Sequence, residues 1–306
     1  MTRTALVTGG AGFIGSHLAE HLLADGWQVR VLDDLSTGTR ANLAAAEGKI
    51  EFIQGDVTDT AMVERSVADM EVIFHLAAKV FVPESFEAPT EYQHVNVHGT
   101  ETLLAAAKKA GVRRVVFSST CAVYGDTADL PIAEKSPTKP LSPYAATKLA
   151  AEQIGRKIAA MGGPAFTVLR YFNVYGPRQN PRSAYSGVIT RFVDALGKQK
   201  APQIFGTGEQ TRDFIHVSDV VRANILVAAE RPDLIATYNV GTGKETTINE
   251  LFRWLAEAQG TAQAPTYLPA RAGDVIRSVA DISLIAKERN FVPRASVRTE
   301  LRNLLR

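Results

Sequence analysis

Tyr144 and Lys148 are the residues of this sequence whose types and spacing most clearly suggest chemistry. They stand four positions apart at the start of a predicted helix, so both side chains lie on one helical face. A lysine ammonium favours a neighbouring phenolate, and we expect it to lower the tyrosine pKa towards neutrality. Such a tyrosine can take a proton from an alcohol while a hydride leaves the same carbon for a nicotinamide. Because the same spacing is common in surface pairs, the surrounding elements must decide between the two interpretations.

A glycine-rich segment near the start of the chain could position a nucleotide. A short apolar strand leads into residues 8–15, and a predicted helix follows over residues 16–24. Glycines allow a sharp turn and a close backbone approach to a pyrophosphate, which the free amides of a helix N-terminus stabilise. Two spacings fit, G-x-G-x-x-G from Gly10 and G-x-x-G-x-x-G from Gly9. The spacing alone leaves open which glycines perform which role.

Two acidic residues after the second predicted strand support the interpretation of this segment as a nucleotide site. The next predicted strand, residues 28–32, is followed by Asp33 and Asp34. An acid at this position hydrogen-bonds the ribose hydroxyls of an adenosine and repels a 2′-phosphate, which favours NAD over NADP. Strand, loop, helix and acid together indicate a dinucleotide site rather than an ordinary strand-turn-helix.

Composition and charge exclude several classes of protein. The 306 residues are 45% hydrophobic and 22% charged, as in ordinary soluble globular proteins. The net charge of +2 argues against a nucleic-acid surface. Cys121 is the only cysteine, so no intrachain disulfide can form. The start of the chain leaves no room for a signal peptide, and no apolar run approaches about 18 residues. We predict a cytoplasmic protein that binds no nucleic acid, membrane or metal.

Predicted strands and helices alternate through the first half of the chain. The later strands are expected at residues 50–54, 71–76, 115–119 and 166–169, and the helices at residues 58–67, 90–110 and 143–161. Ser142 is a predicted N-cap, with Pro143 at the first helical position. This alternation predicts an α/β fold, a Rossmann-like doubly wound parallel sheet with helices on both faces.

The pattern changes after Arg170. A helix at residues 188–196 is followed by short strands, turns and further helices without strict alternation. We therefore predict an NAD-binding Rossmann domain over residues 1–170 and a smaller, mainly substrate-binding C-terminal region over residues 171–306. The strand predicted at residues 236–240 would return to the main sheet, so the two regions would interleave.

Several motifs carry a family resemblance over nearly the whole chain. Those similar to the extended short-chain dehydrogenase/reductase family are the glycine segment, Gly55-Asp56, His75-Leu76-Ala77-Ala78, Ser118-Ser119-Thr120, Val123-Tyr124-Gly125, Tyr144-Ala-Ala-Thr-Lys148 and Arg170-Tyr171-Phe172-Asn173. The stretches at residues 212–217 and 238–241 most resemble its NAD-dependent epimerase/dehydratase branch, especially the UDP-hexose 4-epimerases. This resemblance implies NAD as cofactor and a UDP-sugar as substrate.

The resemblance assigns catalysis to Thr120, Tyr144 and Lys148. It places Thr120 on the sugar 4-hydroxyl beside Tyr144, with transient oxidation at C4, rotation of the 4-keto sugar and re-reduction. The related 4,6-dehydratases carry an Asp-Glu pair after the residue matching Thr120, and the UDP-glucuronate decarboxylases carry a glutamate at the second of these positions. This chain has Cys121 and Ala122 there. Neither can shuttle a proton in an elimination, so the chain departs from both patterns.

The resemblance also predicts two sets of binding residues, and the cofactor set includes Asp56 and Ala77, which follow predicted strands. The cofactor set is Gly9, Gly12, Phe13, Ile14, Asp33, Asp34, Leu35, Ser36, Thr37, Gly38, Asp56, Val57, Leu76, Ala77, Ala78, Asn96, Ser118, Tyr144, Lys148, Tyr171 and Phe172. The substrate set is Thr120, Tyr144, Asn173, Val188, Gln203, Phe205, Arg212, Arg271, Asp274 and Ser278.

The identity of the sugar is predicted from Ser278. In the 4-epimerases that this chain resembles, a tyrosine at this position restricts the sugar to glucose and galactose, and a small residue admits N-acetylated hexoses. Ser278 therefore predicts UDP-GlcNAc and UDP-GalNAc as substrates alongside UDP-glucose and UDP-galactose. A surface serine with no part in the site is the alternative.

Other activities remain open at this point. A UDP-glucuronate 4-epimerase, another nucleotide-sugar oxidoreductase and an NAD(P)-dependent reductase share this fold. A non-catalytic dinucleotide sensor is the alternative of another class, although it would not need Thr120, Tyr144 and Lys148 together. The resemblance also implies a homodimer, with the helices predicted at residues 90–110 and 143–161 paired as a four-helix bundle.

Overall fold

A computed structural model describes residues 3–179, 187–229, 235–270 and 275–305 of the chain. The chain divides into two compact units. Unit 1 comprises Met1–Val123, Pro140–Arg170 and Val221–Tyr238. Unit 2 comprises Tyr124–Lys139, Tyr171–Val220 and Asn239–Arg306. Each unit therefore draws on three separate stretches of the chain.

Unit 1 is built on a sheet with the order β11-β6-β5-β4-β1-β2-β3, seven strands within the described residues. The pairs β1–β2, β1–β4, β2–β3 and β4–β5 are parallel. The order reverses between β1 and β4, and ligands of such sheets bind beyond the strand ends at this reversal. The strands are β1 (Thr4–Thr8), β2 (Gln28–Asp33), β3 (Glu51–Gln54), β4 (Val72–His75), β5 (Arg114–Thr120), β6 (Ala165–Tyr171) and β11 (Ile235–Val240).

The helices between these strands cover the sheet. They are α1 (Phe13–Ala24), α2 (Thr60–Val67), α3 (Val82–Glu87), α4 (Pro89–Tyr92), α5 (Gly99–Lys109), α6 (Pro143–Ala160) and α8 (Val217–Ala229). One apolar core lies between the sheet and the helices α2, α5 and α6, and in it Leu6, Ile73 and Val115 from the strands pack with Leu103 from α5 and Ala151 from α6. Alternating strands and helices thus bury a continuous core, as the sequence pattern predicts.

The predicted α/β class and doubly wound sheet are confirmed. The strand predicted at residues 236–240 is β11, and it joins the main sheet beside β6. The prediction of one continuous α-helix at residues 90–110 is wrong, because a π-helix interrupts this helical segment. It consists of α4, a π-helix over Gln93–His98 and α5. A 3₁₀-helix over Arg40–Ala46 and the short helix α3 were not predicted. Neither segment has the apolar periodicity on which helix prediction depends.

Unit 2 has shorter elements. Its strands are β7 (Asn173–Tyr175), β8 (Gln203–Phe205), β9 (Thr211–Arg212), β10 (Phe214–His216), β12 (Thr246–Thr247) and β13 (Thr266–Leu268). They form two-stranded pairs, with β7–β10 and β8–β13 parallel and β9–β12 antiparallel. The helices are α7 (Val188–Gly197), α9 (Ile248–Gln259), α10 (Ser283–Arg289) and α11 (Val297–Leu304).

A separate apolar cluster holds unit 2 together. Phe192 on α7 meets Phe252 on α9 edge to face, with ring centroids 6.1 Å apart. Tyr175, Ile204, Leu255 and other apolar residues complete the cluster. Helix α9 begins with a capping box, because Thr247 and Glu250 each bond the backbone N–H of the other. In the described part of the chain, no helix combines the length and apolar character needed to cross a bilayer.

Candidate active site

The glycine segment forms a tight turn between β1 and α1. Gly9 has a positive φ of 68°, which favours glycine, and a Cβ there would lie 2.8 Å from the backbone nitrogen of Ala77. Gly12 is the N-cap of α1 and donates its N–H to the Gly9 carbonyl at 3.1 Å. A Cβ on Gly15 would collide with the same carbonyl. The spacing from Gly9 is therefore the one that shapes the turn, while Gly10 makes room for Val31.

Asp33 ends β2 and holds the glycine turn through its carboxylate. Its Oδ2 accepts the Ala11 N–H at 2.9 Å, and its Oδ1 accepts the Leu35 N–H at 2.8 Å. Burial raises the pKa of this carboxyl, whereas the two backbone hydrogen bonds act in the opposite direction. A carboxylate has about four acceptor sites, so each oxygen retains one for a ribose hydroxyl.

The segment after Asp33 folds back on the glycine turn. Asp34 accepts the N–H and the hydroxyl of Ser36 at 2.9 and 2.7 Å. A Cβ on Gly38 would lie 2.7 Å from the carbonyl of Ala11, so the two loops are in close contact there. The Asn42 side chain donates to the same carbonyl at 2.8 Å. The segment after Asp33 therefore contacts the glycine turn at Gly38 and Asn42.

The ends of β3 and β4 supply further predicted cofactor residues. Asp56 follows β3, is exposed, and accepts the Thr58 N–H at 2.8 Å, whereas Val57 is buried. Leu76, Ala77 and Ala78 follow β4 and are partly buried. Ala77 donates its N–H to the Thr8 hydroxyl at 3.2 Å, which ties β4 to β1 at the reversal of strand order.

Asn96 lies in the π-helix and is buried. Its amide accepts the Lys79 N–H at 2.8 Å and donates to the Lys79 carbonyl at 2.9 Å and to Thr147 at 3.0 Å. The Lys79 ammonium forms ion pairs with Glu84 and Glu91 at 3.4 and 2.6 Å. Asn96, a predicted cofactor residue, thereby fixes the loop after β4 against the helix that carries Tyr144.

Tyr144 lies in the first turn of α6, where the predicted cap is confirmed. Ser142 accepts the Ala145 N–H at 3.2 Å, and Pro143 is the first helical residue. The Tyr144 side chain is only 9% exposed and hydrogen-bonds Thr120 at the end of β5. The surface-pair interpretation is therefore excluded.

The predicted direction of the Tyr144 pKa is wrong in this structure. Burial raises the pKa of Tyr144 to about 12, because it penalises the phenolate more than the Thr120 hydrogen bond stabilises it; the nearby Cys121 adds to the rise. Spacing on a helix reveals that a lysine lies on the same face, but it does not reveal the cost of removing a phenolate from water. Tyr144 is thus protonated at neutral pH in this arrangement.

Lys148 is 3% exposed and lies over an aromatic ring. Its Nζ is 4.3 Å from the centroid of Phe117 on β5, a cation–π distance. Burial lowers the pKa of Lys148 to about 7, and the charge of Glu152 opposes that change.

His75 at the end of β4 is buried and bonds the hydroxyls of Thr8 and Thr100 at 2.7 and 3.0 Å. Burial, together with the Lys148 charge, lowers the pKa of His75 to about 3.

Glu152 was not predicted, yet it lies one helical turn beyond Lys148. It is 1% exposed and accepts the Ser119 hydroxyl at 2.5 Å. The Arg170 guanidinium forks onto it with bonds of 3.0 and 2.7 Å. The sequence signal for Glu152 was its position four residues after Lys148, which is itself four after Tyr144. The residues that bind Glu152 come from β5 and β6, so this spacing does not reveal them.

Unit 2 holds most of the predicted substrate residues. Asn173 begins β7 and donates its backbone N–H to the Asp213 carbonyl at 2.9 Å. Arg212 precedes Asp213, is partly buried and donates to the Thr211 carbonyl at 2.8 Å. Asn173 and Arg212 therefore lie close together. Two residues of this region, Tyr171 and Phe172, are instead predicted to bind the cofactor. Both are buried, and Phe172 donates its N–H to the Val240 carbonyl at 3.0 Å.

Ser278 lies in a segment that is held on both sides. On one side, Arg277 forks onto Glu245 with bonds of 3.0 and 2.6 Å. On the other, Ala280 donates its N–H to Asp213 at 3.1 Å. Ser278 itself is 7% exposed, so it is not a surface residue. Glu245 and Asp213 were not predicted, and only their long-range contacts reveal them.

The remaining substrate residues are more dispersed. Gln203 and Phe205 lie on β8, and the Gln210 side chain donates to the Phe205 carbonyl at 2.7 Å, which joins β8 to the start of β9. Val188 begins α7 and packs against the unit 2 core. Arg271 and Asp274 lie outside the described residues.

The donors and spaces of unit 1 fit a dinucleotide. The N-terminal amides of α1 are not used within the helix, the turn at Gly9 and Gly12 exposes backbone, and Asp33 has free acceptor sites. Among the described residues, no group of three or more His, Cys, Asp or Glu side chains is arranged to hold a metal ion.

Comparison with known proteins identifies the family to which the chain is similar. Residues 5–241 match the sequence model of the NAD dependent epimerase/dehydratase family. The chain is 43% identical over 281 residues to the UDP-glucose 4-epimerase of Mycolicibacterium smegmatis, with 90% of this chain and 89% of that protein covered.

Two solved structures are similar over nearly the full length. One is the UDP-glucose 4-epimerase of Thermotoga maritima with UDP-glucose, with a TM-score of 0.94, 38% identity and coverage of 99% of this chain and 97% of that chain. The other is the UDP-N-acetylglucosamine 4-epimerase of Methanobrevibacter ruminantium in complex with UDP-N-acetylmuramic acid, with a TM-score of 0.95, 37% identity and the same coverage.

Proposed function

The chain belongs to the NAD dependent epimerase/dehydratase family, and from this premise we propose that it is a UDP-hexose 4-epimerase. The proposed reaction oxidises the sugar at C4, lets the 4-keto sugar rotate, and reduces it on the opposite face. The observation that carries this proposal is the hydrogen bond between partly buried Thr120 and buried Tyr144, together with Cys121 and Ala122, rather than acids, directly after Thr120 in the chain. Because neither of the two positions after Thr120 carries an acid, this arrangement supports hydride exchange and not elimination of water.

NAD is the cofactor of this family, and we assign its adenosine to Asp33 and its pyrophosphate to the turn at Gly9 and Gly12. The remaining cofactor residues of unit 1 lie in the loop at residues 34–38, at the ends of β3 and β4, at Asn96 and at Ser118. When bound, NAD takes the hydride from the sugar and returns it.

Three residues are assigned to the proton. Thr120 orients the 4-hydroxyl towards Tyr144. Tyr144 takes the hydroxyl proton during oxidation and returns it to the ketone oxygen during reduction. Since burial holds the pKa of Tyr144 at about 12, loss of its proton requires a nearby positive charge, which the Lys148 ammonium supplies.

Unit 2 is assigned to the UDP-sugar. Arg212 is proposed to pair with the diphosphate and Phe205 to contact the uracil, with Asn173, Val188 and Gln203 beside them. Arg271 and Asp274 are proposed for the same site. This division of labour places the cofactor mainly in residues 1–170 and the substrate mainly in residues 171–306.

The direct test is incubation of the purified protein with UDP-glucose and with UDP-GlcNAc. We expect conversion to the 4-epimers without net formation of NADH and without a change in substrate mass. Tyr144→Phe should retain bound NAD and a native melting curve but lose about 10²–10⁴-fold in kcat, since the proton acceptor is gone. Tyr267→Phe, an exposed tyrosine of unit 2, is the matched control.

Five outcomes would contradict the proposal or its assignment of the base. A product lighter by one water would indicate a dehydratase, and stoichiometric NADH would indicate a dehydrogenase or reductase. A Tyr144→Phe enzyme with most of its kcat would show that another residue is the base. Conversion of UDP-glucuronate alone would favour the UDP-glucuronate 4-epimerase alternative, and tight NAD binding without any turnover would favour a dinucleotide sensor.

We also propose that the enzyme accepts N-acetylated hexoses. Ser278 is buried in the segment held by Glu245 and Asp213, where a serine leaves space that a tyrosine ring would fill. Ser278→Tyr should lower kcat/KM for UDP-GlcNAc far more than for UDP-glucose. Equal losses on both substrates, or undiminished activity on the acetylated one, would show that Ser278 does not limit the sugar.

The last part of the proposal concerns the oligomeric state of the protein and its location in the cell. We infer a cytoplasmic homodimer in which α5 and α6 pair with their copies. Several apolar residues of these helices, including Leu103 and Ala151, already pack in the core of one copy, so the pairing would use the other helical faces. A monomeric mass in solution at micromolar concentration would contradict the dimer.

A further inference from the structure

Glu152 occupies a position that links the elements carrying the proposed catalytic residues. It lies on α6, which also carries Tyr144 and Lys148. Its carboxylate accepts the hydroxyl of Ser119, the residue immediately before Thr120, at 2.5 Å. Because Glu152 is buried, this bond is shielded from water and fixes the end of β5 against α6.

A second strand is fixed through the same carboxylate. Arg170, near the end of β6, donates from Nε to Oε1 at 3.0 Å and from Nη2 to Oε2 at 2.7 Å. Such forked pairs define both distance and orientation. Arg156, one turn further along α6, approaches Oε2 at 3.5 Å and donates to Thr237 on β11. Glu152 is therefore the acceptor at which α6, β5 and β6 meet.

The charges around Lys148 give this acceptor an electrostatic role. Packed against Lys148 are the Phe117 ring from β5 and neutral His75 from β4, and Tyr144 lies one turn before it on α6. Glu152 is the anion whose charge opposes the effect of burial on Lys148. The positive charges of Arg170 and Arg156 face Glu152 itself.

We propose that Glu152 is a positioning residue of the reaction, which keeps Lys148 in its ammonium form and holds Thr120 in line with Tyr144. This inference rests on the proposed 4-epimerase function, because that function needs the Lys148 charge beside Tyr144. A purely structural ion pair between Glu152 and Arg170 would make a different prediction. Its loss would lower stability but would leave the titration of Lys148 unchanged.

The test compares three substitutions. Glu152→Gln keeps an oxygen that can accept from Ser119 and Arg170 but removes the charge. Glu152→Asp keeps the charge at a greater distance from its partners. Glu101→Gln, at an exposed position of α5, is the matched control for removing a glutamate charge.

The primary readout does not depend on turnover. Lysine labelled with carbon-13 at Cε reports the titration of Lys148 by NMR in the purified protein, and the signal is assigned by its loss in Lys148→Met. We expect the midpoint to fall by about one pH unit in Glu152→Gln, as for loss of a nearby opposite charge. We expect a smaller fall in Glu152→Asp and no change in Glu101→Gln.

Activity provides the second readout. The rate should be lost as pH rises through the Lys148 titration, because the ammonium disappears. Glu152→Gln should therefore lose activity at lower pH than the parent enzyme, with kcat about tenfold lower near pH 8. Glu152→Asp should recover most of the parent profile.

Each result has a distinct meaning. A Lys148 midpoint that stays in place in a folded Glu152→Gln protein would overturn the proposal. If Glu152→Gln does not fold, Glu152→Asp decides by the same midpoint, and an unchanged value would again overturn it. A shifted midpoint in a protein that converts no UDP-sugar would contradict the proposed function instead, and with it the catalytic part of the inference.

Discussion

Each unit of this protein buries a carboxylate, but the partners that satisfy it differ in kind. In unit 1, Glu152 meets a guanidinium fork from Arg170 and the hydroxyl of Ser119. In unit 2, Asp213 accepts the N–H and hydroxyl of Thr242 and the N–H of Gly243 and of Ala280. One carboxylate is neutralised by a cation on a regular strand. The other is solvated by loop backbone.

The difference teaches how replaceable each carboxylate is. A charged side-chain pair can be substituted by two apolar side chains of similar volume at little cost. Backbone N–H groups cannot be removed, so the acceptor that satisfies them has no apolar substitute. Unit 1 should thus tolerate loss of its ion pair as a whole, whereas unit 2 should not tolerate loss of Asp213.

The two tryptophans allow each unit to be followed separately. Trp27 lies in unit 1 and Trp254 in unit 2, and the chain has no other tryptophan. Replacement of one by phenylalanine leaves fluorescence that reports the unfolding of the other unit in urea.

The largest effect is expected from Glu152→Leu, followed through Trp27. This substitution removes the carboxylate that accepts two hydrogen bonds from the buried Arg170 guanidinium and should lower the free energy of unfolding by about 3–5 kcal/mol. Addition of Arg170→Met should restore most of that loss. A double variant no more stable than Glu152→Leu would show that the pair is not replaceable as a unit.

A somewhat smaller effect is expected from Asp213→Ala, followed through Trp254. Four buried or partly buried donors lose their acceptor, which should lower the free energy of unfolding by about 3 kcal/mol. Asp281→Ala, which removes a bond to the Ser283 N–H at the start of α10, is the control and should cost less than about 1 kcal/mol. Equal effects of the two would contradict the special role of Asp213.

The smallest of the three effects concerns ligand affinity. Asp33 resembles Asp213 in binding backbone N–H groups, but it retains acceptor sites. Asp33→Ala should weaken NAD binding by about 1.5–3 kcal/mol, as measured by calorimetry. Asp25→Ala, at an exposed position after α1, should have no effect. Equal or tighter binding of NADP by the parent protein would contradict the assignment of Asp33.

Much of unit 1 could be predicted from sequence because its signals are local. Strand, glycine turn and helix follow one another between β1 and α1, and the N-cap Ser142 stands directly before Pro143. The strand-like segment at residues 236–240 was sufficient to predict that β11 returns to the main sheet. Each of these patterns is decided by neighbouring residues.

The rest depends on contacts between distant residues. Glu152 meets Ser119 and Arg170 across gaps of 33 and 18 positions, and no spacing rule reveals such partners. Asp213 reaches Ala280 across 67 positions. The raised pKa of Tyr144 follows from burial, which the spacing to Lys148 does not contain. The predicted roles of the site residues themselves stay predictions.

The π-helix at Gln93–His98 sets the rotational phase of the helix that follows it. An α-helix turns by about 100° per residue, so one extra residue in a wider turn changes which face of α5 meets the sheet. Asn96 binds Lys79 from within the π-helix, and after the π-helix Gly99 faces Val57 and Thr100 bonds His75 at 3.0 Å. Deletion of a single residue here would swing one of these two groups of contacts away from its partners, although every side chain in them would still be present.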